Sequence, residues 1–81
     1  MSKNSKTYDE IIIASAKLFR KNGYLATSIR DIGDALGITS AALYYHFKNK
    51  EEVLLAIILR ALKEIRQAVE TAVSKLSLIH I

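Results

Sequence analysis

An all-α fold, with three helices bundled ahead of a long fourth one, is what the sequence predicts, on three observations. Apolar residues recur at a spacing of about 3.6 through most of the 81 residues, and no stretch alternates apolar and polar as a half-buried strand does. Residues able to cap helices stand just ahead of the apolar runs, and glycines stand just behind two of them. Only Gly37, Ile38 and Thr39 separate the second run from the third, a glycine-containing turn that joins two packed helices.

The first helix is expected to start at Thr7, where Thr7 and Glu10 have the spacing of a capping box, and to end near Asn22 with Gly23 as a left-handed cap. Ile12, Ala16 and Phe19, with Ile11, Ser15 and Leu18 beside them, form its inner stripe. Lys17, Arg20 and Lys21 suit the negative end of its dipole. Thr27 or Ser28 caps a second helix that ends at Leu36, with Ile29, Ile32 and Leu36 on one side. Gly33 lies inside it at a loss of about 1 kcal/mol relative to Ala, which makes sense where another helix crosses closely. Thr39 caps a third helix reaching Phe47. Asn49 and Glu52 then form a second capping box, opening a fourth helix carried to about Lys75, roughly 25 residues and about 40 Å long.

The resulting architecture is a homeodomain-like helix-turn-helix bundle with a projecting helix. Residues 1–6 are expected to be a flexible tail, 7–54 the helix-turn-helix domain with the motif itself at 28–47, and 55–75 a linker helix. The stripe Leu54, Ile57, Ile58, Ala61, Leu62, Ile65, Val69, Ala72 and Leu76, widened by Leu55 and Leu59, is more than a three-helix unit covers, which points to a partner or a further domain. Residues 76–81 lack a cap or a polar close and resemble the translation of a sequencing adaptor. They are taken as a non-native tail on a chain cut short.

Size and composition narrow the function. One small domain has no room for a cleft between lobes, and no base–nucleophile pair, Gly-rich phosphate loop or oriented carboxylate pair is present; no enzyme is expected. There is no cysteine, so neither a disulfide framework nor a zinc ribbon can form. His46 has no second ligand nearby, which sets metal aside, and no cofactor is expected. The longest apolar run, Val53 to Leu59, is far short of a membrane span, and the N-terminal lysines precede no signal-like apolar segment. A cytoplasmic protein is the expectation. The 12 Lys and Arg exceed the 8 Asp and Glu, with the whole excess in residues 1–50, and the pI is about 9.5. This balance suits an anionic partner such as nucleic acid.

The third helix supplies the sharper signal. At about 100° per residue, Leu43 and Phe47 point inward, leaving Ala41, Ala42 and Tyr45 outward with Tyr44 and His46 on the flanks. A solvated helix face would carry Lys, Glu and Gln. Here it is small at one end, which allows close approach to a groove about 12 Å wide, and aromatic at the other, where phenol and imidazole can donate to phosphates. Thr39 and Ser40 add hydroxyls. Thr27, Ser28 and Arg30 lie at the start of the second helix, where backbone N–H groups attract anions, and Lys48 and Lys50 bracket the start of the fourth.

The run Ile11-Ile12, Ala14, Leu18-Phe19, Gly23-Tyr24, Thr27-Ser28, Ile32, Gly37-Ile38, Leu43-Tyr44, His46-Phe47 and Lys50 resembles the N-terminal DNA-binding domain of TetR-family bacterial transcriptional regulators, over about residues 8 to 54. The resemblance implies a homodimeric repressor of double-stranded DNA operators, released when a small-molecule effector binds a C-terminal helical domain. It implies phosphate contacts for Thr27, Ser28, Tyr44, His46 and Lys50, and positions in or beside the groove for Arg30, Ser40, Ala41, Ala42 and Tyr45. Two departures stand out. Ser40-Ala41-Ala42 replaces the frequent Lys-Gly-Thr, which shifts base reading toward Arg30, Tyr45 and Ala42 against thymine methyls. Gly33 replaces the usual Ala.

Plainer roles exist for several of these residues. Tyr44 can be a packing residue, Arg30 can pair with Asp34 at i, i+4, and Lys3 and Lys6 suit a solubilising tail. The fourth helix carries charges of mixed sign, unlike the cationic polar face of a membrane-surface helix, so no membrane partner is expected. An interaction module built on the fourth helix would account for that helix and leave the Tyr44-Tyr45-His46 surface without a purpose.

Overall fold

The computed structural model describes residues 2–80, with side chains over 7–78. Four helices follow in order: α1 Ser2–Asn22, α2 Ile29–Leu36, α3 Ser40–His46 and α4 Lys50–His80. No strand occurs among the described residues. α1 packs on α2 and α4, and α2 packs on α3.

Six residues form the core: Ile11, Ile12, Ile32, Leu43, Phe47 and Val53, each 5 % exposed or less. Leu18, Phe19, Ile29, Leu36, Ile38, Ala56 and Ile57 close around them. Every helix thus gives one stripe to the same centre, and the 3.6-residue period places those stripes correctly.

Three boundaries differ from expectation. α1 begins at Ser2 rather than at a Thr7 cap. Ser2 to Lys6 contains neither Gly nor Pro to stop a helix growing backward, so Thr7 lies inside α1. Met1 and the side chains of residues 2–6, on which the expected tail rests, lie outside the described residues. At the other end α4 runs past Lys75 to His80, through residues with no helix breaker; Ile81 and the side chains of 79 and 80 are outside the description. The α4 cap also differs in detail. Asn49 Oδ1 accepts from the Glu52 N–H at 2.9 Å, but the Glu52 carboxylate takes the N–H of Lys48 at 2.8 Å instead of that of Asn49.

The turn between α2 and α3 follows from backbone bonding. Gly37 adopts φ 72° and closes α2, while the Ile38 N–H donates to the Gly33 carbonyl at 2.9 Å and the Gly37 N–H to the Asp34 carbonyl at 3.3 Å, a Schellman pattern. A Cβ at Gly33 would lie 2.8 Å from the Ile38 carbonyl oxygen and 3.4 Å from Leu43 Cδ1. The close approach expected there is therefore made by the turn's own backbone more than by a crossing helix.

α4 leaves the core after its second turn. Val53 is fully buried and Ile57 partly so, but every side chain from Ala61 to Leu78 is exposed. The molecule is 54 Å in its longest dimension against 31 and 18 Å in the others.

Candidate nucleic-acid interface

α3 is short enough that its two caps fix it. Thr39 stands at its N-terminus in extended conformation and its Oγ1 accepts from the Ala42 N–H at 3.1 Å. At the far end Leu43 and Phe47 are driven inward, with Phe47 closing the helix through its N–H to the Leu43 carbonyl. What remains faces water: Ala41 and Ala42 are exposed, Tyr44 is 54 % and Tyr45 77 % exposed. Ser40 and His46 are half-buried. His46 sits among rings, edge-on to Tyr45 with centroids 5.0 Å apart and edge-on to Tyr8 at 6.2 Å.

The start of α2 lies at the far end of that helix from the turn into α3. Ser28 caps it in a reciprocal box: Ser28 Oγ accepts from the Asp31 N–H at 3.0 Å and Asp31 Oδ2 accepts from the Ser28 N–H at 2.9 Å. The Ser-x-x-Asp spacing was there to be read, and it leaves Ile29 and Arg30 to present the remaining first-turn N–H groups. Arg30 is exposed, and among the described residues no ion pair joins it to Asp34; Arg60 with Asp9 and Glu64 accounts for the pairs that form.

Two expected phosphate ligands are placed differently. Thr27 is 1 % exposed, and its hydroxyl donates to the Gly23 carbonyl at 2.8 Å and lies 3.4 Å from that of Leu18. Its side chain ties the α1–α2 connection together from inside and does not reach a ligand. Lys50 is only half engaged. Its Nζ donates to the Tyr24 carbonyl at 2.7 Å and sits 4.2 Å above the Tyr24 ring, which leaves further ammonium hydrogens to face outward. Glu51 stands near the Tyr24 hydroxyl. Burial first, and the charge of Glu51 second, push its pKa above the usual phenol range.

Ser28, Arg30, Thr39, Ser40, Ala41, Ala42, Tyr44, Tyr45 and His46 thus lie at the ends and on the open side of two short helices held by one turn, and Lys50 opens α4. No group of His, Asp and Glu suited to a metal ion occurs among the described residues, and no helix there is long and apolar enough to cross a membrane.

Residues 11–57, more than half of the chain, match the model of the bacterial regulatory proteins of the tetR family. The chain belongs to the TetR family. Relatives include the "HTH-type transcriptional repressor KstR2" of Mycolicibacterium smegmatis, 46 % identical over 57 % of this chain and 22 % of its own length. The "Biofilm operon icaADBC HTH-type negative transcriptional regulator IcaR" of Staphylococcus epidermidis is 44 % identical over 56 % of this chain and 24 % of its own. A solved TetR/AcrR-family transcriptional regulator from Thermobifida fusca superposes with a TM-score of 0.76 at 43 % identity, over 78 % of this chain and 34 % of that one. This TetR-family chain spans about a fifth to a quarter of the length of these curated relatives.

Proposed function

We propose that this chain is the DNA-binding part of a transcriptional repressor that reads an inverted-repeat operator as a dimer and lets go when a small molecule binds a further helical domain. The observation that carries the DNA-binding step is the open face of α3, where alanines and two exposed tyrosines replace the charged residues of a solvated helix. In this reading α2 lies across the phosphate backbone, with its first-turn N–H groups toward phosphates, and α3 enters the major groove. Ala41 and Ala42 allow close approach, Ala42 meets thymine methyls, and Tyr45 and Arg30 reach base edges. Tyr44, His46 and Lys50 donate to phosphates along the rim. Two copies place two such helices about 34 Å or a multiple apart. The names of the repressor relatives and the fold of the Thermobifida regulator support this reading.

The exposed apolar row of α4, Leu62, Ile65, Val69, Val73 and Leu76 at 55–59 % exposure, favours a second component in the same reading. These residues are the near side of the effector and dimerisation domain. Taken alone, the same row fits a helical interaction module with no DNA function.

Selection of bound duplexes from a random-sequence library at near-physiological salt separates the two. Enrichment of a short motif or inverted repeat by the wild-type chain, lost with Tyr45→Ala at unchanged helicity, is the expected result. No enrichment, either by the chain alone or when it is fused to a dimerising segment, would leave the interaction module.

A further inference from the structure

We infer that Tyr8, on α1, is a positioning residue for the DNA face: its ring holds the His46 imidazole at the end of α3 and so sets where His46 meets the phosphate backbone and where Tyr45 enters the groove. The inference rests on the DNA-binding reading above.

Four rings run in series from inside the bundle to its surface. Tyr8 stacks on Phe47 with centroids 5.1 Å apart and planes 20° from parallel, and meets His46 edge-on at 6.2 Å. His46 in turn stands 6.4 Å from Phe47 and, almost perpendicular, 5.0 Å from Tyr45. Phe47 is the buried anchor at 3 % exposure and Tyr45 the open end at 77 %. His46 therefore has an aromatic neighbour on each side, and two of its three ring contacts come from residues adjacent to it in sequence. Tyr8 is the third, 38 positions away.

That distance matters because α3 is packed mainly through α2, while α1 packs on α2 and α4. The Tyr8 ring braces the last turn of α3 from α1 at the surface, beside the core that Ile11 and Ile12 share with Leu43 and Phe47. Core filling does not account for it: Tyr8 is 38 % exposed, next to Ile11 and Ile12, which are 0 and 5 % exposed. Its hydroxyl has no hydrogen bond among the described residues, so the ring carries the contact. Fixing a phosphate donor in advance spares the ordering that binding would otherwise require.

The test uses the full chain, a fluorescein-labelled duplex recovered by the selection above, and Tyr8→Leu, Tyr8→Phe and His46→Ala, singly and combined. At the usual strength of ring pairs, Tyr8→Leu should weaken binding about three- to tenfold, whereas Tyr8→Phe stays within about twofold. In the His46→Ala background the Tyr8→Leu loss should vanish. In the unbound chain, Tyr8→Leu should move the His46 ring-proton resonances, assigned through His46→Ala, which a general loss of stability would not do selectively. If Tyr8→Leu lowers the folded fraction, Tyr8→Met, which keeps bulk without a ring, gives the same readouts.

Equal losses in Tyr8→Phe and Tyr8→Leu would assign the hydroxyl a contact of its own and overturn the inference. So would equal losses in both backgrounds, or unmoved His46 resonances. A wild-type chain that binds no duplex, alone or fused to a dimerising segment, defeats the DNA-binding reading, and the inference with it. Wild-type binding indifferent to Tyr8→Leu defeats the inference alone.

Discussion

In α2, the turn and α3, one apolar side of each helix is turned to the core and the helix ends are closed, whereas from Ala61 to Leu78 in α4 no side chain is buried. Ile32 and Leu43 are fully enclosed, and Ser28, Asp31, Gly37 and Thr39 satisfy backbone groups at the termini. In α4, Leu62, Ile65, Val69, Val73 and Leu76 each keep 55–59 % of their surface in water. The first region is determined by contacts within about ten residues and one shared core. The second is helical by local preference, and its apolar row gains its value only from something laid against it.

The largest expected effect lies in the turn. Gly33→Leu sets a Cβ 2.8 Å from the Ile38 carbonyl, with more atoms beyond it toward Leu43. A loss of roughly 3 kcal/mol is expected, since overpacking alone costs about 1–3, and thermal melting by circular dichroism should show an unfolded or nearly unfolded chain. An unchanged midpoint would refute the tight-turn account.

Arg30→Ala should weaken operator binding by about 1–3 kcal/mol if Arg30 reads a base. If it contacts a phosphate instead, the slope of log affinity against log salt should flatten by about 0.9. Titrations at several salt concentrations distinguish these, and an unaltered affinity at every salt would remove Arg30 from the interface.

Thr27→Val separates burial from phosphate contact. Loss of the hydroxyl that donates to the Gly23 carbonyl should lower stability by about 1 kcal/mol and leave affinity per folded molecule unchanged. A drop in affinity at full folding would restore Thr27 to the DNA surface.

Smallest of all should be the effect of Leu62→Gln with Ile65→Gln. Both side chains are more than half exposed, so the thermal midpoint of this chain should move by less than about 0.5 kcal/mol equivalent while solubility rises. A clear destabilisation would mean that the α4 row is already covered in solution.

The second and third helices were legible in the sequence because their signals are local. Thr39, Gly37 and Ser28 sit where caps belong, and Leu43 with Phe47 at i, i+4 fixes which side of α3 is inside. Gly33 announced a close contact, though its sequence position does not tell a helix from a turn carbonyl. Thr7 misled because a capping box needs an interruption before it, and Ser2 to Lys6 provides none. Thr27 misled for a different reason: threonine and serine look alike as caps, and only the path of the chain turns one hydroxyl toward the Gly23 carbonyl and leaves the other on α2. The placing of Lys50 over Tyr24 and of Tyr8 against His46 joins residues 26 and 38 positions apart, which helical periodicity cannot register.

The position of Val53, Ala56 and Ile57 at the inner end of α4 bears on synthesis as well. They are the last side chains in sequence to join the core, and nothing from Ala61 to Leu78 adds to it. Helical bundles with neighbouring contacts fold in microseconds to milliseconds, while a ribosome adds about 5–20 residues each second. The unit that carries α2 and α3 can therefore close once Ile57 clears the exit tunnel, without waiting for the rest of α4.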